Sequence, residues 1–164
     1  IPAGWHRTFA FMQWPAFSHR QWAFLKKEAA QDIKTVEQPR IFASDKDPDH
    51  CKSLARSIEA VGLSGAVKVQ CLDFFDMDTH AHTPGTGLVV LNPPYGHRLG
   101  TDREATRRIR AIGTKLTRSF QGWRFALLIP HKRWLQALPF YLKTHPLQHG
   151  GLRLLLAVGT IPDP

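Results

Sequence analysis

Apolar positions along this chain recur with two different periods, and the switches between them mark out its elements. After Ser18, residues Trp22, Leu25, Ala29 and Ile33 repeat at three- and four-residue intervals. That spacing predicts an amphipathic helix running to about residue 36, with Ser18 and Gln21 placed as a capping box. A second helix is expected over 49–61, stopped by Gly62. A third, over 104–120, carries the stripe Ala105, Ile109, Ile112, Leu116 and Phe120 and ends at Gly122. Short apolar runs bounded by turn formers predict strands at 40–44, 66–72, 87–91 and 123–129, the third of them buried. A short helix at 131–138 precedes two further strands, 140–147 and 152–159, joined by His149-Gly150-Gly151. Residues 1–14 read as an irregular connector whose aromatics (Trp5, Phe9, Phe11, Trp14) are expected to pack against the sheet, with stacking on nucleic-acid bases as the alternative. Strands alternating with helices and closing in a hairpin imply one doubly wound α/β domain over 1–164. Its helices lie on both faces and an antiparallel strand forms its edge.

Composition narrows the class. At 164 residues, with 43% hydrophobic and 21% charged positions, the chain can bury one core. No apolar stretch approaches the ~20 residues of a membrane span, and the start, Ile1-Pro2-Ala3-Gly4-Trp5, resembles no signal or transit peptide. Lacking an initial Met, the chain is expected to begin inside a longer polypeptide. Cys51 and Cys71 form no C-x-x-C pattern and are expected as reduced core thiols of a cytoplasmic protein. The charge is lopsided: residues 1–96 hold 10 basic against 10 acidic side chains, and residues 97–164 hold 12 against 3, the whole of the net +9. A basic half of this kind suits a polyanionic partner. On the 104–120 helix, Arg107, Arg108, Arg110, Lys115 and Arg118 have no acid after Glu104, so contact with an RNA backbone competes with a plain solvated face. His80-x-His82 is the only close histidine pair. It lacks further ligands at metal spacing, and no metal site is expected.

The candidate chemistry lies at Asn92-Pro93-Pro94-Tyr95, directly after the apolar run 87–91. Ligands in open α/β sheets bind beyond the carboxyl ends of the strands. The four residues resemble the catalytic signature of S-adenosylmethionine (SAM)-dependent methyltransferases that modify exocyclic amino groups of bases. The resemblance implies that the Asn92 side-chain carbonyl and the Pro93 main-chain carbonyl accept the two N–H groups of the amine. Pro93 and Pro94 fix φ and remove two donors, and Tyr95 stacks on an extruded base. Asn92 would also border the cofactor.

Further blocks extend the likeness along nearly the whole chain: Arg7-Thr-Phe-Ala-Phe-Met-Gln-Trp14, Ser44-Asp-Lys-Asp-Pro48, Asn92-Pro-Pro-Tyr-Gly-His-Arg-Leu99 and Leu116-Thr-Arg-Ser-Phe-Gln-Gly-Trp123. Together they resemble the bacterial large-subunit ribosomal RNA guanine-N2 methyltransferases, whose catalytic domain follows an RNA-binding THUMP domain. The fold implied is the class I, Rossmann-like methyltransferase sheet and the cofactor is SAM. Asp45, at the tip of the second family strand, would take the ribose hydroxyls, with Lys46 beside the adenine. Asp47 reads instead as a helix cap. Asp73 would accept from the adenine amino group and Phe74 would flank the ring. His97 and Arg98 are expected at the substrate, and Arg107, Arg108 and Lys115 on RNA phosphate. The family's first strand and glycine-rich loop have no counterpart between Ile1 and Pro164. They are expected upstream, and the 164 residues alone are expected to bind SAM weakly. Two rivals stay open: an adenine-N6 methyltransferase acting on DNA, and a non-catalytic RNA-binding module derived from such an enzyme.

Overall fold

The computed structural model describes residues 4–34, 36–79, 83, 85–94, 101–149 and 151–163. The chain divides into two compact units, Ile1–Phe74 and Phe75–Pro164. Among the described residues no helix is long and apolar enough to cross a membrane.

The first unit contains α1 (His19–Gln31), β1 (Ile41–Asp45), α2 (Pro48–Ala60) and β2 (Val67–Cys71). β1 and β2 are parallel, in register from Ile41↔Val67 to Asp45↔Cys71, so the strands end level with each other. Asp47 caps α2 as expected, its carboxylate accepting from the amides of Asp49 (2.8 Å) and His50 (3.4 Å). Pro48 opens the helix where a missing N–H costs nothing. Gly62, at φ 70°, lets the chain leave it. α1 begins at Ser18, whose hydroxyl accepts from the Gln21 amide at 3.3 Å, but it stops at Gln31, five residues short of the periodic pattern. The residues beyond it, Asp32, Ile33, Thr35 and Val36, are of poor helix-forming types. None of α1 is buried, and Leu25 is 53% exposed. Of the N-terminal aromatics, Phe9 and Phe11 pack on each other and on α1 rather than on a strand, stacking at 5.3 Å and both meeting Trp22 edge-on, while Trp14 is 67% exposed. A single 3₁₀ turn, Ala10–Gln13, interrupts this stretch. Cys51 is buried, but Cys71, also expected in the core, is exposed because it closes the open end of a two-stranded sheet.

The second unit contains β3 (Leu88–Leu91), α3 (Asp102–Ser119), β4 (Arg124–Ile129), a 3₁₀ turn at Lys132–Ala137 and the hairpin β5 (Lys143–His149)–β6 (Leu152–Thr160). The sheet order is β3-β4-β6-β5; β3 and β4 are parallel and β6 is antiparallel to both of its neighbours. The predicted antiparallel edge is therefore present, with Pro146 tolerated because β5 is the outer strand. The core lies between α3 and β4. Ala105, Ile109, Ile112, Leu116 and Phe120, the predicted stripe, are all buried, as are Phe125, Leu127 and Ile129. Each buried Ile or Leu contributes about 1.5–3 kcal/mol. Gly113 sits within this face because the helix passes close to Leu138–Pro139; a Cβ there would lie 2.9 Å from Pro139 Cδ.

β3 departs from the expectation of a buried strand. Val89 is buried, but Leu88 and Val90 on the opposite face are 51% and 67% exposed. Among the described residues the strand is hydrogen-bonded on one side only, to β4, and β1 likewise only to β2. An apolar run shows that a strand can be buried on both faces. It does not supply the layer that buries it.

Candidate active site

Asn92, Pro93 and Pro94 leave β3 just past its last registered pair, Leu91↔Leu127. Because β3 and β4 are parallel, the chain past Leu127 runs beside them, through Leu128 and Ile129 to Pro130. Pro93 and Pro94 share a crevice with Arg108 of α3 and with Ile129, Pro130 and Trp134. Its free volume, about 10 Å³, is at the limit for one water. The crevice therefore supports the turn from behind and is too small for a ligand. Asn92 and Pro94 are exposed and Pro93 is half-buried, so the Asn92 amide faces open space at the carboxyl edge of a parallel strand pair. Backed by packing and lacking two N–H donors, the Pro93-Pro94 turn presents main-chain carbonyl acceptors of restricted direction beside the exposed Asn92 side chain.

The wall behind the turn is held by a cluster that the sequence pattern did not announce. Asp102, the first residue of α3, accepts through Oδ1 from Trp134 Nε1 at 2.6 Å, Arg133 Nε at 3.0 Å and Arg133 Nη2 at 2.7 Å. The Trp134 indole donor, and after it Arg133, holds the Asp102 carboxyl below the usual carboxylate range. His131 meets the Trp134 ring edge-on at 4.9 Å. The short helix expected at 131–138 is present as the 3₁₀ turn, but its contact with Asp102 escaped the sequence reading because the partners lie 31 and 32 positions apart. The one available signal was Thr101 with Glu104, a capping box that fixes where α3 starts. Glu104 Oε2 accepts from the Thr101 amide at 2.6 Å, and the Thr101 hydroxyl accepts from the Glu104 amide at 3.3 Å.

In the first unit, Asp45 ends β1 with a half-exposed carboxylate. Its Oδ1 accepts from the Asp47 amide at 2.9 Å, and its Oδ2 lies 3.6 Å from His50 Nδ1. Its main-chain carbonyl is held twice, by the Leu72 amide at 2.9 Å and the Cys51 thiol at 3.2 Å. Asp73 follows β2 by two residues, so two carboxylates stand at the carboxyl ends of adjacent parallel strands. Lys46 is exposed, and Phe74 opens a 3₁₀ turn. This acceptor set fits the adenosyl half of SAM, with a carboxylate to accept from a ribose diol and an aromatic next to a second carboxylate. Among the described residues no glycine-rich strand-to-helix turn serves the methionyl half.

Tyr95, His97 and Arg98 lie outside the described residues, as do His80 and His82. Among the described residues no group of three or more His, Cys, Asp or Glu side chains is placed to hold a metal. The three cations expected on RNA separate. Arg107 is exposed, and Arg108 borders the crevice beneath Pro93–Pro94. Lys115 is half-buried, its ammonium donating to the Met77 carbonyl at 2.8 Å, which ties α3 to the segment before β3.

Residues 4–139 match the family model UPF0020, described as an RMKL-like methyltransferase domain. Among curated relatives, the ribosomal RNA large subunit methyltransferase K/L of Marinobacter nauticus is 29% identical over 129 residues, 77% of this chain and 18% of that protein. Its namesake in Methylococcus capsulatus is 31% identical over 129 residues, 77% and 17%. This chain thus spans about a fifth of the length of these relatives. Two solved structures share the fold. One, assigned as a methyltransferase and complexed with SAH, has a TM-score of 0.78 at 24% identity, covering 94% of this chain and 40% of that one. The other, a possible methylase from Clostridium difficile, has a TM-score of 0.79 at 20% identity, covering 98% and 41%.

Proposed function

We propose, from the premise that the chain belongs to the UPF0020 RMKL-like methyltransferase family, that it carries the methyl-transfer site of a ribosomal RNA methyltransferase. The fold is the class I, Rossmann-like methyltransferase sheet. SAM, when bound, supplies an electrophilic methyl group on a sulfonium. The target is an exocyclic amine of an RNA base, by this reading N2 of a guanine in the large-subunit RNA. By this reading residues 1–164 belong to one catalytic domain, with a THUMP domain in the same natural protein and the cytoplasm, where ribosomes are assembled, as its compartment.

The observation that carries this reading is the exposed Asn92-Pro-Pro turn at the carboxyl edge of β3, braced from behind by Trp134 and Arg108. Asn92 and the Pro93 carbonyl accept the two N–H groups of an amine whose lone pair is otherwise delocalised into the ring. That favours a pyramidal nitrogen with its lone pair directed outward, and the attack needs no strong general base. Asp45 and Asp73 accept from the adenosine half of the methyl donor. Tyr95 supplies the stacking surface for the extruded base.

The test is incubation of the full-length protein with tritiated SAM and either protein-free ribosomal RNA or DNA, followed by nucleoside analysis. Label in N2-methylguanosine supports the reading. Label in N6-methyladenine of DNA replaces it with the adenine rival. RNA binding with neither SAM affinity nor label leaves only the binding module.

A further inference from the structure

The first turns of α3 carry Arg103, Arg107 and Arg110 at positions i, i+4 and i+7, on one exposed face. At 1.5 Å per residue they span about 10 Å along the helix axis. With Thr106 and Glu104 they border an open groove of about 640 Å³. The opposite face is the buried stripe Ala105, Ile109 and Ile112, so the helix cannot turn these guanidiniums inward. A plain solvated face intersperses acids three or four residues from its cations. Here the two nearest acids are already occupied. Glu104 is folded back onto Thr101, and Asp102 is bonded to Arg133 and Trp134. Among the described residues none of the three arginines forms an ion pair, and they neighbour one another as like charges.

We infer that Arg103, Arg107 and Arg110 form the surface that tracks the RNA phosphate backbone and delivers the target base to the Asn92 turn. The choice of RNA over another polyanion rests on the functional reading above. The groove is open, and among the described residues it is bordered by the three arginines with Glu104 and Thr106 and by no aromatic side chain, which suits a passing backbone and not an enclosed nucleotide or a stacked base. Contacts of this type set register on the nucleic acid and do not read its sequence. The stripe differs from the set expected from sequence: it adds Arg103, retains Arg107 and Arg110, and omits Arg118, Arg108, which borders the crevice beneath Pro93–Pro94, and Lys115, whose ammonium is tied to Met77.

The experiment is fluorescence anisotropy with a labelled ribosomal RNA fragment and the full-length protein, without methyl donor, from 50 to 200 mM KCl. It compares the wild type with R103Q/R107Q/R110Q and with the charge-matched control R20Q/K27Q/K34Q on and after α1. Glutamine keeps helix propensity at these exposed sites. Each phosphate contact contributes a slope of about 0.7–0.9 in log affinity against log salt. Three contacts over a fourfold salt range mean that the wild type loses about 20–40-fold more affinity than the stripe variant. The control is expected to keep the wild-type slope. Equal slopes for wild type and stripe variant overturn the inference, as does an equal loss in the control or a wild type without RNA affinity. A wild type that binds RNA steeply but methylates none removes the functional reading, and the slope comparison still decides the stripe.

Discussion

Replacing Asn92 with alanine separates chemistry from folding unusually well, because the side chain lies outside both the ladder and the core. It follows the last β3–β4 pair, is exposed, and makes no hydrogen bond among the described residues. Substitutions at such surface sites alter stability by about 0.5 kcal/mol or less. The same side chain is assigned half of the acceptor pair that orients the amine, an interaction that strengthens as positive charge develops on nitrogen. Removing one preorganised partner of that kind costs about 10²–10³-fold in kcat, or roughly 2.7–4 kcal/mol of transition-state stabilisation. The KM for RNA should change little, since phosphate contacts lie elsewhere. Asn92→Asp keeps oxygen acceptors and loses only the NH₂ donors, so it should recover at least about tenfold over alanine. The assay is tritiated methyl transfer by the full-length protein at saturating RNA and SAM, run alongside thermal unfolding. An alanine variant retaining more than about a tenth of wild-type kcat refutes the orienting role. An activity loss matched by a fall in thermal stability would reassign Asn92 to the fold.

Asp45→Asn should weaken SAM binding by about 10- to 100-fold, the value of a hydrogen bond to a charged group, while the Asp47 amide keeps its acceptor; calorimetry showing unchanged affinity would place the ribose elsewhere. The 164 residues alone should bind SAM far more weakly than the full-length protein, because among the described residues they offer the proposed acceptors for the adenosyl half and no glycine-rich strand-to-helix turn; micromolar affinity for this chain alone would contradict that. Gly113→Val should destabilise by about 1–3 kcal/mol through overpacking, since its first added carbon would meet Pro139 Cδ at 2.9 Å; a urea midpoint at or above wild type would show that the Leu138–Pro139 segment gives way. The carboxyls of Asp47, Asp102 and Glu104 all titrate below the usual range, held down by the Asp49 and His50 amides, by Trp134 and Arg133, and by Thr101, respectively. Depressed folded values add stability that is complete above the unfolded carboxylate pKa of about 4 and lost as pH falls below it. Urea midpoints should therefore drop below about pH 4 and drop less in Asp102→Asn; stability that rises on acidification would reverse the sign of this linkage.

Local rules determined much of this chain. The apolar stripe of α3, the Asp47 cap and the Asn92-Pro-Pro turn after an apolar strand were all legible, because each is set by residues within a few positions of one another; the parallel-then-antiparallel order followed from the alternation of strands and helices and the closing hairpin. Family likeness in the same blocks pointed to a methyltransferase, and the family match over residues 4–139 bears out that family. Tertiary structure alone decided which face of an element is covered and which charge is already in use. α1 has a helical stripe and buries none of it, and β3 is apolar throughout yet exposes Leu88 and Val90. Lys115 and Arg107 are equivalent by composition, yet one is bonded to Met77 while the other borders an open groove. Asp102 and Trp134 are 32 positions apart and meet at 2.6 Å behind the turn. A periodic pattern records what a surface prefers to touch. What it does touch depends on elements far away in sequence, and no local spacing encodes that.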